Sequence, residues 1–197
     1  ADYAEDVGGE AQQMLAAAAK ENGCWMVGGS FCEEENGHYY NTSYVYNPQG
    51  VCVAKHRKMH LFDIDIEGGQ YFKESDVLSP GTSLTVFDTP WGRVGLAICF
   101  DIRFADMAAA MVDAGAQLLV YPASFNMSTG PRHWELLFRA RAMDGQCYAV
   151  GVAPARDENA SYVSWGHSMV VNPWAEVVCD LGTEPETRVV TIDFDMV

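Results

Sequence analysis

Residues 94–104, VGLAICFDIRF, place a single cysteine where an apolar run meets charged residues. Residues 93–98 have the composition of a buried strand, and residues 105–114 after them that of a short helix. Residues 117–121 form another apolar run, so the passage predicts two adjacent strands joined by a crossover helix, as in a parallel α/β sheet. Cys99 therefore lies where a strand gives way to a helix.

Two interpretations of Cys99 stay open on this stretch alone. Cysteine is among the residue types most often buried, so Cys99 can be a core residue that closes a strand. The alternative is a nucleophile, because the reactive thiolate is favoured near helix N-termini and the N–H group that follows such a turn can bind an oxyanion.

A second stretch, residues 55–63 (KHRKMHLFD), groups three cations and two histidines in a chain of net charge −15. Strand alternation predicts that His56 and Lys58 face one side and Arg57 the other. A lysine on an inward face is costly unless it is paired or functional, and one so placed can stabilise a thiolate and a tetrahedral intermediate. The alternative is an exposed basic strand end.

The composition excludes several classes of partner. The net charge of −15 argues against nucleic acid and anionic membranes, and no apolar run reaches transmembrane length. The run Glu33-Glu34-Glu35 is expected to be a solvated loop. Six cysteines without a CxxC pair or zinc-like spacing predict free thiols, no metal site and a reducing compartment. We expect the cytoplasm, or mitochondria if a targeting segment precedes the chain.

The two ends of the chain show the same order of signals, which is a helix, a glycine stop, a strand that starts near a cysteine and a hairpin about Asn-Pro. This order predicts two similar halves and a two-layer β core with helices outside. The segments are a helix at 10–22, strands at 24–28, 39–46 and 51–56, a helix at 131–144, and strands at 147–152, 168–171 and 176–179.

Five motifs in order resemble the nitrilase superfamily of carbon–nitrogen hydrolases: HRKMHLFD, GLAICFDIRF, LLVYPASFN, HWELLFRARAMDGQCYAVG and SWGHSMVVNPWAEV. The chain is most similar to the omega-amidase branch, through HLFDIDIEGGQYFKES, TGPRHWELL and ARDENASYVSWGHS. The resemblance extends over nearly the whole chain. It implies one domain over residues 1–197, with the α/β four-layer αββα sandwich of this superfamily and no metal or organic cofactor.

The resemblance also implies a Glu-Lys-Cys hydrolase and gives each matching residue a role. Cys99 is then the nucleophile that attacks the amide carbon and releases ammonia from a thioester. Lys58 and the backbone N–H of Phe100 are expected to bind the oxyanion, and Glu74 to position the lysine. Phe125 and Met127, after the strand LLVYP, are candidate pocket walls.

One part of the family pattern has no match here. The first glutamate of the family, its general base, follows a proline after an early strand, and no acidic residue before Lys58 does so. The chain therefore resembles the family core without its first strand and its C-terminal tail. We expect weak or no turnover from these 197 residues and amidase activity from a longer parent.

The implied substrates are omega-amides of 2-oxo dicarboxylic acids, such as 2-oxoglutaramate and 2-oxosuccinamate. The alternatives are another small amide, for example deaminated glutathione or a carbamoyl compound, or a non-catalytic interaction module. A carboxylate on the substrate needs a cation, for which Arg132 and Arg156 are candidates, whereas Asp101 and Arg103 are expected to form a buried ion pair. The resemblance implies homodimers or larger homo-oligomers.

Overall fold

The computed structural model describes residues 3–65, 67 and 71–197. Part of the motif HLFDIDIEGGQYFKES, Ile66 and residues 68–70, lies outside the described residues. The chain divides into two compact units, Ala1–Thr85 and Val86–Val197. The prediction of one domain over residues 1–197 stays a prediction.

The first unit contains a four-stranded sheet and one long helix. The strands, in the order β1-β2-β3-β4, are β1 (Glu5–Asp6), β2 (Met26–Glu35), β3 (His38–Tyr46) and β4 (Cys52–Arg57). β1 runs parallel to β2, and β2, β3 and β4 form an antiparallel meander. The helix α1 (Glu10–Asn22) ends at Gly23, whose φ of 58° is one that glycine adopts without strain. A short pair, β5 (Asp63–Asp65) and β6 (Tyr71–Lys73), precedes a 3₁₀ turn, Glu74–Asp76.

The second unit is built on a six-stranded sheet of order β12-β11-β10-β9-β8-β7. β8, β9 and β10 are parallel, and β10, β11 and β12 form an antiparallel meander. Its elements are β7 (Thr85–Asp88), β8 (Arg93–Leu96), a 3₁₀ helix (Cys99–Arg103), α2 (Ala105–Asp113), β9 (Leu118–Pro122), α3 (Gly130–Gly145), β10 (Tyr148–Val152), β11 (Met169–Val171), β12 (Val177–Asp180) and a 3₁₀ turn (Phe194–Met196).

The core of the second unit lies where α3 covers the parallel strands. Trp134 and Phe138 of α3 are fully buried, and their rings pack 4.7 Å apart. Gly151 of β10 lies directly beneath, and a Cβ there would come within 2.4 Å of Phe138. Because α3 approaches β10 so closely, position 151 has no room for a side chain and is occupied by glycine.

The α/β class predicted from the sequence is confirmed. The crossover helix predicted after Cys99 is α2, and it connects the parallel strands β8 and β9. The helix–strand–hairpin order also recurs, as α1-β2-β3-β4 in the first unit and α3-β10-β11-β12 in the second.

The prediction of a solvated loop at residues 33–35 is wrong. These residues end strand β2, and the side chain of Glu33 is 0% exposed. Two cations of β4, Lys55 and Arg57, reach the Glu33 carboxylate at 3.2 and 2.9 Å. A short acidic run resembles a solvated loop in sequence because the cations that neutralise it come more than twenty residues later.

Candidate active site

Lys58 follows directly after β4, and its side chain is only 1% exposed. Its backbone N–H donates to Asn41 O of β3 at 2.8 Å, and its carbonyl accepts from Gly81 N at 2.8 Å. These two bonds fix the main chain, so that the side chain leaves the strand on a defined, inward side. The predicted alternation is confirmed, because His56 is also buried, whereas Arg57 turns to the opposite face toward Glu33.

Glu74 is the partner of Lys58. Its Oε2 lies 2.5 Å from Lys58 Nζ and also accepts from the backbone N–H of Phe62 at 2.8 Å. The carboxylate is anchored by a second donor, at the start of the 3₁₀ turn, and therefore holds the ammonium in one place. A buried ammonium so held is a fixed positive charge, which is what a developing oxyanion requires.

Cys99 is the first residue of the 3₁₀ helix in the second unit, shortly beyond the end of β8. Its φ is +47°, a left-handed conformation that is unfavourable for a residue with a Cβ. The Asp101 carboxylate accepts from Ile98 N at 3.0 Å, and Asp101 N donates back to Ile98 O at 3.0 Å. These bonds close a tight strand-to-helix turn with the thiol at its apex, the geometry of a nucleophile elbow.

The thiol of Cys99 is half-buried and contacts the loop after β9. Its Sγ donates to Ser124 O at 3.6 Å, and the hydroxyl of Tyr162 donates to the same carbonyl at 3.0 Å. Sequence reasoning singled out neither Ser124 nor Tyr162, although they lie within the motifs LLVYPASFN and ARDENASYVSWGHS. The physical signal that could have found Ser124 is its place after a parallel strand, where functional loops gather.

Arg103 ends the 3₁₀ helix that Cys99 begins. Its guanidinium lies 5.1 Å from the ring centroid of Phe125 and 5.7 Å from that of Phe100, within cation–π range. Burial lowers the pKa of Arg103, and the negative charge of the Cys99 thiolate acts in the opposite direction. Its Nη2 donates to His133 Nδ1 at 3.2 Å. The sequence predicted an ion pair with Asp101 instead, and that prediction is wrong, since the Asp101 carboxylate caps the elbow.

The other predicted site residues of this unit, Phe100, Phe125 and Met127, differ in how far they are buried. Phe125 is buried, with its ring 5.1 Å from Trp134, and forms a rigid wall beneath Arg103. Phe100 is half-buried beside Arg103, with its ring 5.6 Å from that of Phe104. Met127 is 40% exposed, so of the two predicted walls Phe125 is the better enclosed.

Neither arginine that the sequence proposed for a substrate carboxylate lies in a comparable environment. Arg132 is exposed and donates to Ser128 O at 2.6 Å, on the first turn of α3. Arg156 stacks on Trp165 at 4.7 Å and is paired with Glu158 at 3.7 Å. In the part of the chain that the structure describes, only Arg103 and Arg132 among the arginines lack a carboxylate within 4 Å.

Comparison with known proteins places the chain in a family. Residues 1–197 match the family described as carbon-nitrogen hydrolase. The chain belongs to the carbon-nitrogen hydrolase family. This carbon-nitrogen hydrolase chain is 54% identical to omega-amidase NIT2-B of Xenopus laevis and 53% identical to omega-amidase NIT2 of Homo sapiens. Each alignment covers 99% of this chain and 70% of the relative.

A solved structure shows the same fold. Nit3 of Saccharomyces cerevisiae, a member of branch 10 of the nitrilase superfamily, superposes with a TM-score of 0.83 at 38% identity. The superposition covers 90% of this carbon-nitrogen hydrolase chain and 63% of the yeast chain, so the chain spans less than two thirds of that protein.

Within residues 3–65, 67 and 71–197, no three His, Cys, Asp or Glu side chains are grouped so that they could hold a metal ion. No helix in that same part of the carbon-nitrogen hydrolase chain is both long and apolar enough to cross a membrane.

Proposed function

We propose that the protein is a cysteine-dependent omega-amidase, which hydrolyses a small amide that has a carboxylate at its other end. The observation that carries the proposal is Arg103. It is a partly desolvated cation beside the Cys99 elbow, in an acidic chain, and without a carboxylate partner in the described residues. A neutral substrate would gain nothing from such a cation. A carboxylate on the substrate, in contrast, could accept two parallel N–H···O bonds from the guanidinium.

The reaction follows from the elbow. The Cys99 thiolate attacks the amide carbon, and the carbonyl oxygen becomes an oxyanion, for which the family resemblance offers the N–H of Phe100 as a donor. The C–N bond then breaks, the nitrogen takes a proton from solvent water and leaves as ammonia, and a thioester remains. A water molecule adds to the thioester and gives up a proton to solvent, the C–S bond breaks, and the acid leaves with the thiolate restored.

The first unit contains a fixed cation of its own, Lys58, whose role comes from the family resemblance. The family resemblance gives Lys58 the second oxyanion contact and Glu74 the role of orienting it, and the Lys58–Glu74 pair has the burial and short distance that such a role needs. The resemblance also suggests a homodimer or a larger homo-oligomer, and we include that assembly and a reducing, cytoplasmic compartment in the proposal.

The substrate class comes from two independent sources. The names of the relatives describe them as omega-amidases, and Arg103 supplies a cation for the carboxylate at the far end of such an amide. We therefore favour 2-oxoglutaramate and 2-oxosuccinamate, each of which has a 2-oxo carboxylate at one end and an amide at the other.

The test compares 2-oxoglutaramate with pentanamide, a neutral amide of similar length, by release of ammonia. We expect a strong preference for 2-oxoglutaramate, and Arg103→Met is expected to reduce that preference by about tenfold or more, because a charge-assisted bond is lost. Equal use of both amides would contradict the proposal.

A second readout does not depend on turnover, since weak or absent turnover by residues 1–197 alone stays a prediction. Bound 2-oxoglutaramate should protect Cys99 from alkylation by iodoacetamide, and pentanamide at the same concentration should not. Protection by neither compound, or by both equally, would count against an anionic substrate.

A further inference from the structure

We propose that His133 is a positioning residue, which orients the guanidinium of Arg103 toward the carboxylate of the substrate and so helps to select anionic amides over neutral ones. The inference rests on the proposed function, because it assigns to His133 the control of a contact in which Arg103 binds the substrate. His133 acts through Arg103 and is not a catalytic residue.

The location of His133 is fixed by helix α3. It lies in the first turn of the helix, where its backbone N–H donates to Thr129 O at 2.8 Å. The next residue, Trp134, is 1% exposed and donates through its Nε1 to His167 O at 2.7 Å. Because this anchor holds the start of α3, the imidazole of His133 is delivered to Arg103 by a rigid element rather than by a loop.

The hydrogen bond between the two residues determines the state of the imidazole. A guanidinium has N–H donors only, so the 3.2 Å contact from Arg103 Nη2 requires a lone pair on His133 Nδ1. His133 is therefore neutral in this arrangement, with its proton on Nε2. One N–H of the Arg103 guanidinium is occupied by His133. Because the guanidinium is planar and rigid, its remaining N–H donors then point in a fixed direction.

A neutral acceptor is the appropriate partner for a cation that has to bind a carboxylate. An aspartate or glutamate at position 133 would also orient Arg103, but it would cancel the charge and compete with the substrate. The ring of Phe125, 5.1 Å from the guanidinium, restrains one face of the fork without neutralising it. Histidine and phenylalanine together orient Arg103 and leave its positive charge available.

The test uses two reagents that alkylate the same thiolate of Cys99, the anionic iodoacetate and the neutral iodoacetamide. Their rate ratio is independent of how much thiolate is present, so a change in the reactivity of Cys99 itself cancels. We expect the iodoacetate:iodoacetamide ratio to fall by about tenfold in Arg103→Met and by about threefold in His133→Leu, since an oriented charge-assisted bond is lost or loosened. His133→Asn, whose Oδ1 can accept in place of Nδ1, should recover most of the ratio.

A double substitution separates positioning from general damage. If His133 acts through Arg103, His133→Leu should not lower the ratio further in the Arg103→Met background. Arg132→Ala, an exposed neighbour on the same turn of α3, is the matched control and should leave the ratio unchanged. Thermal unfolding of each variant shows whether it is folded, and the Asn variant keeps the test valid if His133→Leu does not fold.

The outcomes distinguish this inference from the proposed function. A ratio that is unaffected by Arg103→Met would overturn both, because no anion site would then exist beside Cys99. A ratio that falls in Arg103→Met but not in His133→Leu would overturn the role of His133 alone. A further fall on adding His133→Leu to Arg103→Met would also overturn it, since His133 would then act independently of Arg103.

Discussion

Lys58 Nζ and Glu74 Oε2 form a buried ion pair at 2.5 Å, in which the lysine side chain is 1% exposed. Removing either partner leaves a charge out of water without compensation, which costs about 3–5 kcal/mol. We therefore expect Lys58→Met and Glu74→Leu each to lower the free energy of unfolding by about this amount in urea titrations. The double variant should recover most of the lost free energy of unfolding without regaining amidase activity.

The exposed pair Lys73–Asp65, at 3.8 Å, is the control for that experiment. Solvent screens such pairs, so Lys73→Met should change the free energy of unfolding by less than about 1 kcal/mol. If Lys58→Met proved as mild as Lys73→Met, the Lys58–Glu74 pair would not be a buried, fixed charge.

The buried carboxylate of Glu33, in β2, accepts hydrogen bonds from side chains of both β3 and β4. It accepts from Thr42 Oγ1 at 2.9 Å and from the hydroxyl of Tyr44, in addition to Lys55 and Arg57 of β4. Glu33→Gln keeps the shape but removes the charge that these donors share, and we expect a loss of about 2–4 kcal/mol in the free energy of unfolding. Glu35→Gln is the matched control.

Glu35 also pairs with Arg57, at 2.9 Å, but its side chain is 39% exposed. Its substitution should therefore cost less than about 1 kcal/mol. Equal losses in the two glutamine variants would mean that the buried network around Glu33 contributes no more than a surface ion pair.

The sequence predicted the frame of the molecule well, because the frame depends on short-range patterns. The alternation of residues 55–58 was enough to place His56 and Lys58 on the buried face, and the glycine after α1 was enough to end that helix. The contacts that the sequence did not predict are long-range. Nothing near Glu33 indicates that Lys55 will neutralise it.

Long-range contacts also explain why the sequence did not predict the partners of Arg103. Arg103 and His133 are thirty positions apart and meet only because α3 folds back beside the Cys99 elbow. Sequence favoured Asp101 as the partner of Arg103, since opposite charges two positions apart suggest an ion pair. The tight turn uses the Asp101 carboxylate to cap Ile98 instead, and it thereby leaves Arg103 to the aromatic rings and the imidazole.

The Glu33 network also predicts how stability depends on pH. Burial alone would raise the pKa of Glu33, but hydrogen bonds from Tyr44, Thr42 and Arg57 and the charge of Lys55 outweigh it and lower the pKa below 4.5. The folded carboxyl binds a proton less readily than the unfolded one, so its contribution is present above pH 4.5 and is lost as the pH falls through the folded pKa.

Between about pH 5 and about pH 3, the wild type should therefore lose more of its free energy of unfolding than Glu33→Gln, which cannot titrate at this position. Urea titrations of the two proteins at several pH values measure the difference. Parallel losses would show that other carboxyl groups account for the acid sensitivity.

The backbone of Cys99 predicts an unusual order of stability among its substitutions. Its φ of +47° suits glycine and strains any residue that has a Cβ. Cys99→Gly should therefore have a free energy of unfolding about 1 kcal/mol higher than that of Cys99→Ala, although glycine usually destabilises a folded chain relative to alanine. Met107→Gly and Met107→Ala, in the regular helix α2, should show the usual order.

The six cysteines differ in how readily their thiols should react. All six cysteines are free, but burial raises the pKa of Cys147 to about 12 and also raises the pKa values of Cys32 and Cys52. These thiols stay protonated near neutral pH, whereas Cys99 lies at a strand-to-helix turn and interacts with the charge of Arg103. We expect iodoacetamide at limiting concentration to add first to Cys99, as read by intact mass and peptide mapping.

Cys52 is the informative comparison, because it is the exposed cysteine of the set and yet has a raised pKa. If exposure alone controlled the reaction, Cys52 would be labelled first and the elbow would confer no reactivity. If the setting of the thiol controls it, Cys99→Ser removes the fast addition and leaves the slow labelling of Cys52 unchanged. Fast labelling that persists in Cys99→Ser would exclude Cys99 as the activated nucleophile.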